Sequence, residues 1–159
     1  MPGERDSCQK IDLQQAASLL LEECRMVLPG IQALFGFQLI AVFNQGFDGK
    51  LDASQQALHL VATGLLAFAI ALIMAPAAYH RQTSPLAVSE RFIRLATRLL
   101  LYSMLPLALG ISIEFYVVSA AVFDSRPAAV IAVILFLFIF ALWFVLPRVR
   151  VAQRLLLPD

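Results

Sequence analysis

Four long apolar stretches constrain this chain more than any other feature of its sequence. They cover about residues 27–47, 57–79, 99–123 and 128–146, and among Lys, Arg, Asp and Glu only Glu114 lies inside them. A bilayer core of roughly 30 Å needs about 20 apolar residues in a helix. Membrane strands would need alternating polarity and a closed barrel, and the stretches do not alternate. The sequence therefore predicts an all-α fold, an integral membrane four-helix bundle.

The composition excludes several other classes of protein. Of the 159 residues, 60% are hydrophobic and 14% are charged, the net charge is +1 and the mean hydropathy is +0.81. Soluble domains are roughly 45–50% apolar and about 25% charged. An ordinary globular domain, a disordered chain and a nucleic-acid binder with a basic face are therefore excluded. We expect the lipid bilayer to be the main partner, and no nucleic acid.

The basic residues are distributed unequally around the predicted spans. Ten of the twelve precede span one, join spans two and three, or follow span four, and only Lys50 and Arg126 lie in the other connections. The positive-inside rule then predicts that both termini are cytoplasmic. Residues 1–26 form a cytoplasmic amphipathic segment, residues 27–147 the four-span domain and residues 148–159 a basic cytoplasmic tail.

Two amphipathic helices are expected at the cytoplasmic surface. The first covers residues 11–26, with a kink or break at Pro29-Gly30 before span one. The second is a short helix over residues 86–98, between spans two and three. Ser84-Pro85 is its predicted start, because a hydroxyl caps the helix and proline fits its first turn.

Four arginines lie at or near this second helix. Arg91, Arg94 and Arg98 share one helix face, and Arg81 lies at the end of span two. They set the topology, or they bind anionic lipid head groups at about 1 kcal/mol per cation. The sequence leaves both interpretations open.

Glu114 is the strongest functional signal in the sequence. It precedes Asp124 by ten residues, which places it about 15 Å deep, near the midplane of the bilayer. An acidic residue at that depth is costly and usually faces the bundle interior or an aqueous path. Glu114 is therefore either a proton or cation site or a protonated side chain hydrogen-bonded to a neighbouring helix.

Other polar residues are predicted near the depth of Glu114. Gln38 precedes Asp48 by ten residues and should reach the same level, and Thr63 lies on span two. His59 and Gln45 are predicted to lie nearer the outer surface. These residues form a proton or cation site with Glu114, or an interhelical hydrogen-bond network that contributes only to packing, at about 0.6 kcal/mol per bond.

The sequence contains none of the common catalytic or metal-binding motifs. It has no Walker loop, no dinucleotide fingerprint, no HExxH and no zinc or iron–sulfur spacing. We therefore expect no enzymatic activity, no metal site and no cofactor. On span two, Ala67, Ala71 and Ala75 repeat at four-residue intervals, which predicts a close helix contact within the bundle or between subunits.

Three stretches together resemble a known family. They are residues 25–38 (RMVLPGIQALFGFQ), residues 75–81 (APAAYHR) and the spaced Arg91, Arg94 and Arg98. They resemble a bacterial family of small four-span membrane proteins of unknown function, whose members are often labelled sodium:proton antiporters. The resemblance implies the four-helix architecture and a location in the bacterial inner membrane. The chain lacks the inverted repeats of known secondary transporters, so the antiporter label receives little support from its sequence.

Two functions are compatible with these features. In the first, Glu114 takes up and releases a proton or cation in a small transport protein, which would need a homo-oligomer to enclose a path. In the second, the protein is a non-catalytic membrane scaffold or an accessory subunit that binds a membrane-protein partner. Proton movement in liposomes and a stable partner in a pull-down distinguish them.

Overall fold

A computed structural model describes residues 13–44, 49, 51–83 and 89–149, and this part of the chain is helical apart from short connections. Its long helices are α1 (Leu13–Val42), α2 (Ala53–Thr83), α3 (Glu90–Ala120) and α4 (Ser125–Phe140). A π-helical turn, Ala141–Val145, and a 3-10 turn, Leu146–Arg148, extend α4. The predicted all-α fold is therefore confirmed for the described residues.

The described helices are long and apolar enough to cross a membrane four times. The spanning stretches are Gln15–Val42, Ala53–Gln82, Glu90–Ala120 and Ser125–Arg148. Each predicted apolar stretch overlaps one of these helices, and all four helices begin earlier than the stretches do. Polar and charged residues occupy these additional turns, where a helix can continue beyond the hydrocarbon core.

The two predicted surface helices are not separate elements. α1 runs from Leu13 to Val42 through Pro29, so the helix does not break before span one. α3 runs from Glu90 into span three, and its N-cap is Ser89, whose hydroxyl accepts from the Phe92 N–H at 3.2 Å. Ser84 and Pro85 lie outside the described residues. The Ser89 cap places the start of α3 at Glu90, so the arginine-bearing turns are the beginning of the spanning helix.

α2 and α3 form the central pair of the bundle, and α4 packs on α3 while α1 packs mainly on α2. At one end of the pair, the Tyr79 ring stacks on the Phe92 ring with centroids 6.3 Å apart. At the other end, His59 contacts Glu114. Because α2 residues late in the helix meet α3 residues early in theirs, the two helices are antiparallel.

α2 packs closely against α3 at Gly110. A methyl group added there would collide with Leu66 and lie 3.2 Å from the Ala62 carbonyl oxygen. The small residues that allow this approach differ from those predicted. Ala67 and Ala71 are exposed and Ala75 is only half-buried, whereas Ala62 and Ala69 are fully buried. Of the two contacts predicted for the Ala67 ridge, the one within the bundle is not found, because the other face of α2 contacts α3; the contact between subunits stays a prediction.

Candidate functional site

Three of the predicted site residues come together at one end of the bundle. Gln38 lies near the end of α1, His59 six residues after the start of α2, and Glu114 six residues before the end of α3. Each of His59 and Glu114 lies about 9 Å from the end of its helix, and these two ends are adjacent because α2 and α3 are antiparallel. The two side chains therefore lie at the same level. The site is therefore built from α1, α2 and α3, without α4.

His59 connects the other two helices. Its Nδ1 lies 3.0 Å from Glu114 Oε2 and 3.1 Å from Oε1, and its Nε2 lies 3.0 Å from the backbone carbonyl oxygen of Gln38. The His59 side chain is 4% exposed and that of Glu114 is 21% exposed. The imidazole is therefore held from both sides, while the carboxyl group keeps one accessible edge.

These contacts determine how many protons the pair holds. A carbonyl oxygen can only accept, so His59 Nε2 must donate its hydrogen to Gln38. The contact between Nδ1 and the carboxyl group then needs one further proton, carried by Nδ1 or by Glu114. In the first form an imidazolium faces a carboxylate, and in the second a neutral imidazole accepts from a carboxylic acid. Both forms share one proton and have no net charge.

The other predicted residues have different positions. Thr63 is buried and its hydroxyl donates to the His59 backbone carbonyl at 2.9 Å, one turn back on the same helix, so this hydroxyl is bonded within α2 rather than to the carboxyl group. Gln45 lies outside the described residues. His59 was expected at the outer opening of the site and is instead the direct partner of Glu114. The reason is that α2 begins at Ala53 rather than near residue 57, which places His59 further from the end of its helix than expected.

The side chain of Gln38 provides an unused acceptor beside the pair. Gln38 is 6% exposed, and its Oε1 has no hydrogen-bond partner within the described part of the chain. A buried amide oxygen without a donor costs about 1–3 kcal/mol. Such an atom therefore marks a position where a hydrogen-bond donor would be stabilised.

A cleft of about 400 Å³ lies beside the pair, between α1 and α3. Gln38 and Glu114 are the polar residues that line it, and the remaining lining residues are apolar, including Phe37, Ile111 and Phe115. Glu114 is thus reached from the side of the bundle, where its exposed edge meets an apolar cleft.

The predicted arginines lie at the opposite end of the molecule. Arg81 is at the end of α2, while Arg91, Arg94 and Arg98 occupy the first turns of α3, and all are exposed. Arg94 donates to Glu90 Oε2 at 3.1 Å, an exposed pair one turn apart. Arg98 is separated from Glu114 by sixteen residues of one helix, about 24 Å. The arginines therefore do not share a site with the His59–Glu114 pair.

Comparison with known proteins identifies a matching family, and the function of that family is unknown. Residues 9–147 match the sequence model of a family described as "Family of unknown function (DUF6328)". We found no match to the chain among curated proteins or among solved structures.

Proposed function

The chain belongs to DUF6328, a family of unknown function, and we propose that this protein is a membrane protein that exchanges one proton at the His59–Glu114 pair for one monovalent cation. The observation that carries the proposal is the geometry of His59. Its Nε2–H is committed to the Gln38 carbonyl, so the Nδ1 contact holds one exchangeable proton beside an accessible carboxyl edge.

Loss of the shared proton leaves a negative charge that a cation can neutralise. Without it, the Nδ1 lone pair faces a carboxylate at 3.0 Å, and the pair carries one negative charge. A charge at the centre of a membrane helix costs about 2.5 kcal/mol or more, so a net charge inside this apolar bundle is also unfavourable. A cation that enters the cleft compensates for this charge. Release of the proton and uptake of the cation are therefore coupled, because either event alone would leave a net charge at the site.

The location of the pair fits exchange with the side of the membrane opposite the basic residues. The pair lies near the ends of α1 and α3 and the start of α2, whereas the arginines lie at the other end. On the orientation expected from the positive-inside rule, the site is in the outer half of the bundle.

Proton movement in proteoliposomes tests the proposal. The purified protein is reconstituted with an internal pH-sensitive dye, and outward or inward gradients of sodium, potassium and small organic ammonium ions are applied. We expect at least one cation gradient to move protons, and Glu114→Gln to reduce the rate to that of empty liposomes. The glutamine preserves a hydrogen bond to His59 but cannot release a proton.

Glu90→Gln is the matched control, because it makes the same substitution on the same helix in an exposed residue at the other end. It should retain the wild-type rate. Glu114→Gln with wild-type rates, or no proton movement with any cation, would refute the proposal. A stable partner in a gentle-detergent pull-down together with that result would instead support the scaffold or accessory-subunit function.

A further inference from the structure

We propose that the cation is a lipophilic organic ammonium ion that enters from the bilayer through the cleft between α1 and α3. This inference rests on the proposed function, since it names the substrate class of the same site. It is carried by the shape and lining of the cleft, by the polar atoms at its floor, and by the direction in which it opens.

The size and lining of the cleft fit an organic body. Its volume of about 400 Å³ lies within the range of roughly 300–1,000 Å³ that small-molecule sites occupy. The walls between α1 and α3 are made of side chains such as Phe37, Ile111, Phe115 and Val118. Burial of alkyl or aromatic surface against such walls is favourable, and a phenylalanine ring can also attract an ammonium group.

The polar atoms at the floor match the donors of an ammonium group. The Glu114 carboxylate offers two acceptor oxygens. Gln38 also lines the cleft, and its amide carries a third acceptor in the buried Oε1, which has no partner in the described part of the chain. An ammonium nitrogen with one to three N–H donors can use these acceptors directly. A sodium ion would have to replace its hydration shell with protein oxygens, as filter carbonyls do in channels. The apolar walls do not supply them.

The cleft opens to the side of the bundle. Residues along its edge remain strongly exposed, with Phe37 72% and Val118 57% accessible. In a helix bundle that crosses the membrane, such side chains face lipid. α1 is also the least buried of the first three spans, since 11% of its most apolar window is buried, against 33% for α2 and 39% for α3. A lipophilic cation can therefore reach Glu114 from the bilayer without crossing the packed α2–α3 interface.

Equilibrium binding to the full-length protein in detergent tests the substrate class. Three probes are compared: benzylammonium, which has three N–H donors, benzyltrimethylammonium, which has none, and sodium. Binding is followed by calorimetry, and proton release by a pH dye in weak buffer. We expect both benzyl cations to bind and to release one proton each, and sodium to do neither. Glu114→Gln should abolish the proton release and weaken binding at least about a hundredfold, as loss of a desolvated ion pair implies.

Two further variants test the cleft itself. Gln38→Met removes the Oε1 acceptor but keeps the backbone carbonyl that binds His59. It should weaken binding of the N–H probe about tenfold more than binding of the quaternary probe, since only the former can lose a hydrogen bond to Oε1. Val118→Trp narrows the cleft at an exposed position and should weaken both benzyl cations. Val61→Trp is its control, since Val61 is similarly exposed on α2 and does not line the cleft.

The outcomes separate this inference from the proposed function. Proton release by sodium or potassium and not by the benzyl cations overturns the substrate class and leaves proton exchange intact. No proton release with any cation overturns both. Equal binding to Val118→Trp and wild type overturns the cleft as the binding site. Dimers that crosslink through Val118→Cys and exclude the benzyl cations show that a second copy covers the cleft, which also overturns the inference.

Discussion

At the scale of single residues, the site depends on the two ring nitrogens of His59, which contact different helices. Nε2 contacts the Gln38 carbonyl and Nδ1 contacts Glu114. Because Nε2 donates its hydrogen to the carbonyl, the proton shared with Glu114 is the one at Nδ1. The sequence identified Glu114 because an acidic residue within an apolar span is conspicuous. It also selected His59 and Gln38, but it did not predict that His59 contacts both, because that contact depends on the rotation of three helices.

Replacement of His59 tests whether the pair is mutually dependent. We expect His59→Leu to lower the free energy of unfolding by about 2 kcal/mol, because it removes the buried imidazole that contacts both the Glu114 carboxyl group and the Gln38 carbonyl. The double variant His59→Leu/Glu114→Leu should recover part of this loss, since no polar side chain then remains unpaired in the pair. Unfolding in mixed detergent micelles, followed by circular dichroism, measures both. Strictly additive effects would show that the two side chains are not coupled.

At the scale of the helices, the sequence predicted their number better than their ends. α2 begins at Ala53, where Asp52 caps it: Asp52 Oδ1 accepts from the Gln55 N–H at 2.8 Å, and Gln55 Oε1 accepts from the Asp52 N–H at 3.1 Å. Hydrogen bonds from the Ser54 hydroxyl and the Gln55 backbone hold the pKa of Asp52 below its usual value. This reciprocal cap was a readable start signal. It lies outside the apolar stretch, which is why hydropathy alone placed the start later.

The contact between α2 and α3 provides a matched pair of glycine substitutions. Gly110→Ala should lower the free energy of unfolding by about 1–3 kcal/mol, because its methyl group would collide with Leu66 in a packed interface. Gly64→Ala should be neutral or slightly stabilising, because no atom lies within 4 Å of the added methyl group and alanine is the better helix former. The same micelle unfolding assay compares them. A Gly110→Ala protein as stable as Gly64→Ala would contradict the close approach of the two helices.

At the scale of the whole molecule, the topology predicted from the basic residues determines which side of the membrane the site serves. Ser125→Cys and Val149→Cys, each in a background with Cys8 and Cys24 replaced by serine, place single thiols at opposite ends of α4 and its extension. We expect a membrane-impermeant maleimide to label Ser125→Cys in intact cells and Val149→Cys only after permeabilisation, because the positive-inside rule places the basic connections in the cytoplasm. The reverse pattern would place the His59–Glu114 pair in the inner half of the bundle.

The sequence by itself determined the class of this protein, its four apolar helices and the residue around which its site is built. Hydropathy and charge are properties of each residue that do not depend on the tertiary structure, so they can be read from the sequence before the fold is known. Only the tertiary structure decided that His59 faces Glu114, that Ala62 rather than Ala67 lies against α3, and that a cleft opens beside Gln38. A helix that is apolar on all sides carries no strong pattern to orient it, so its rotation is decided by the fit of side chains from neighbouring helices.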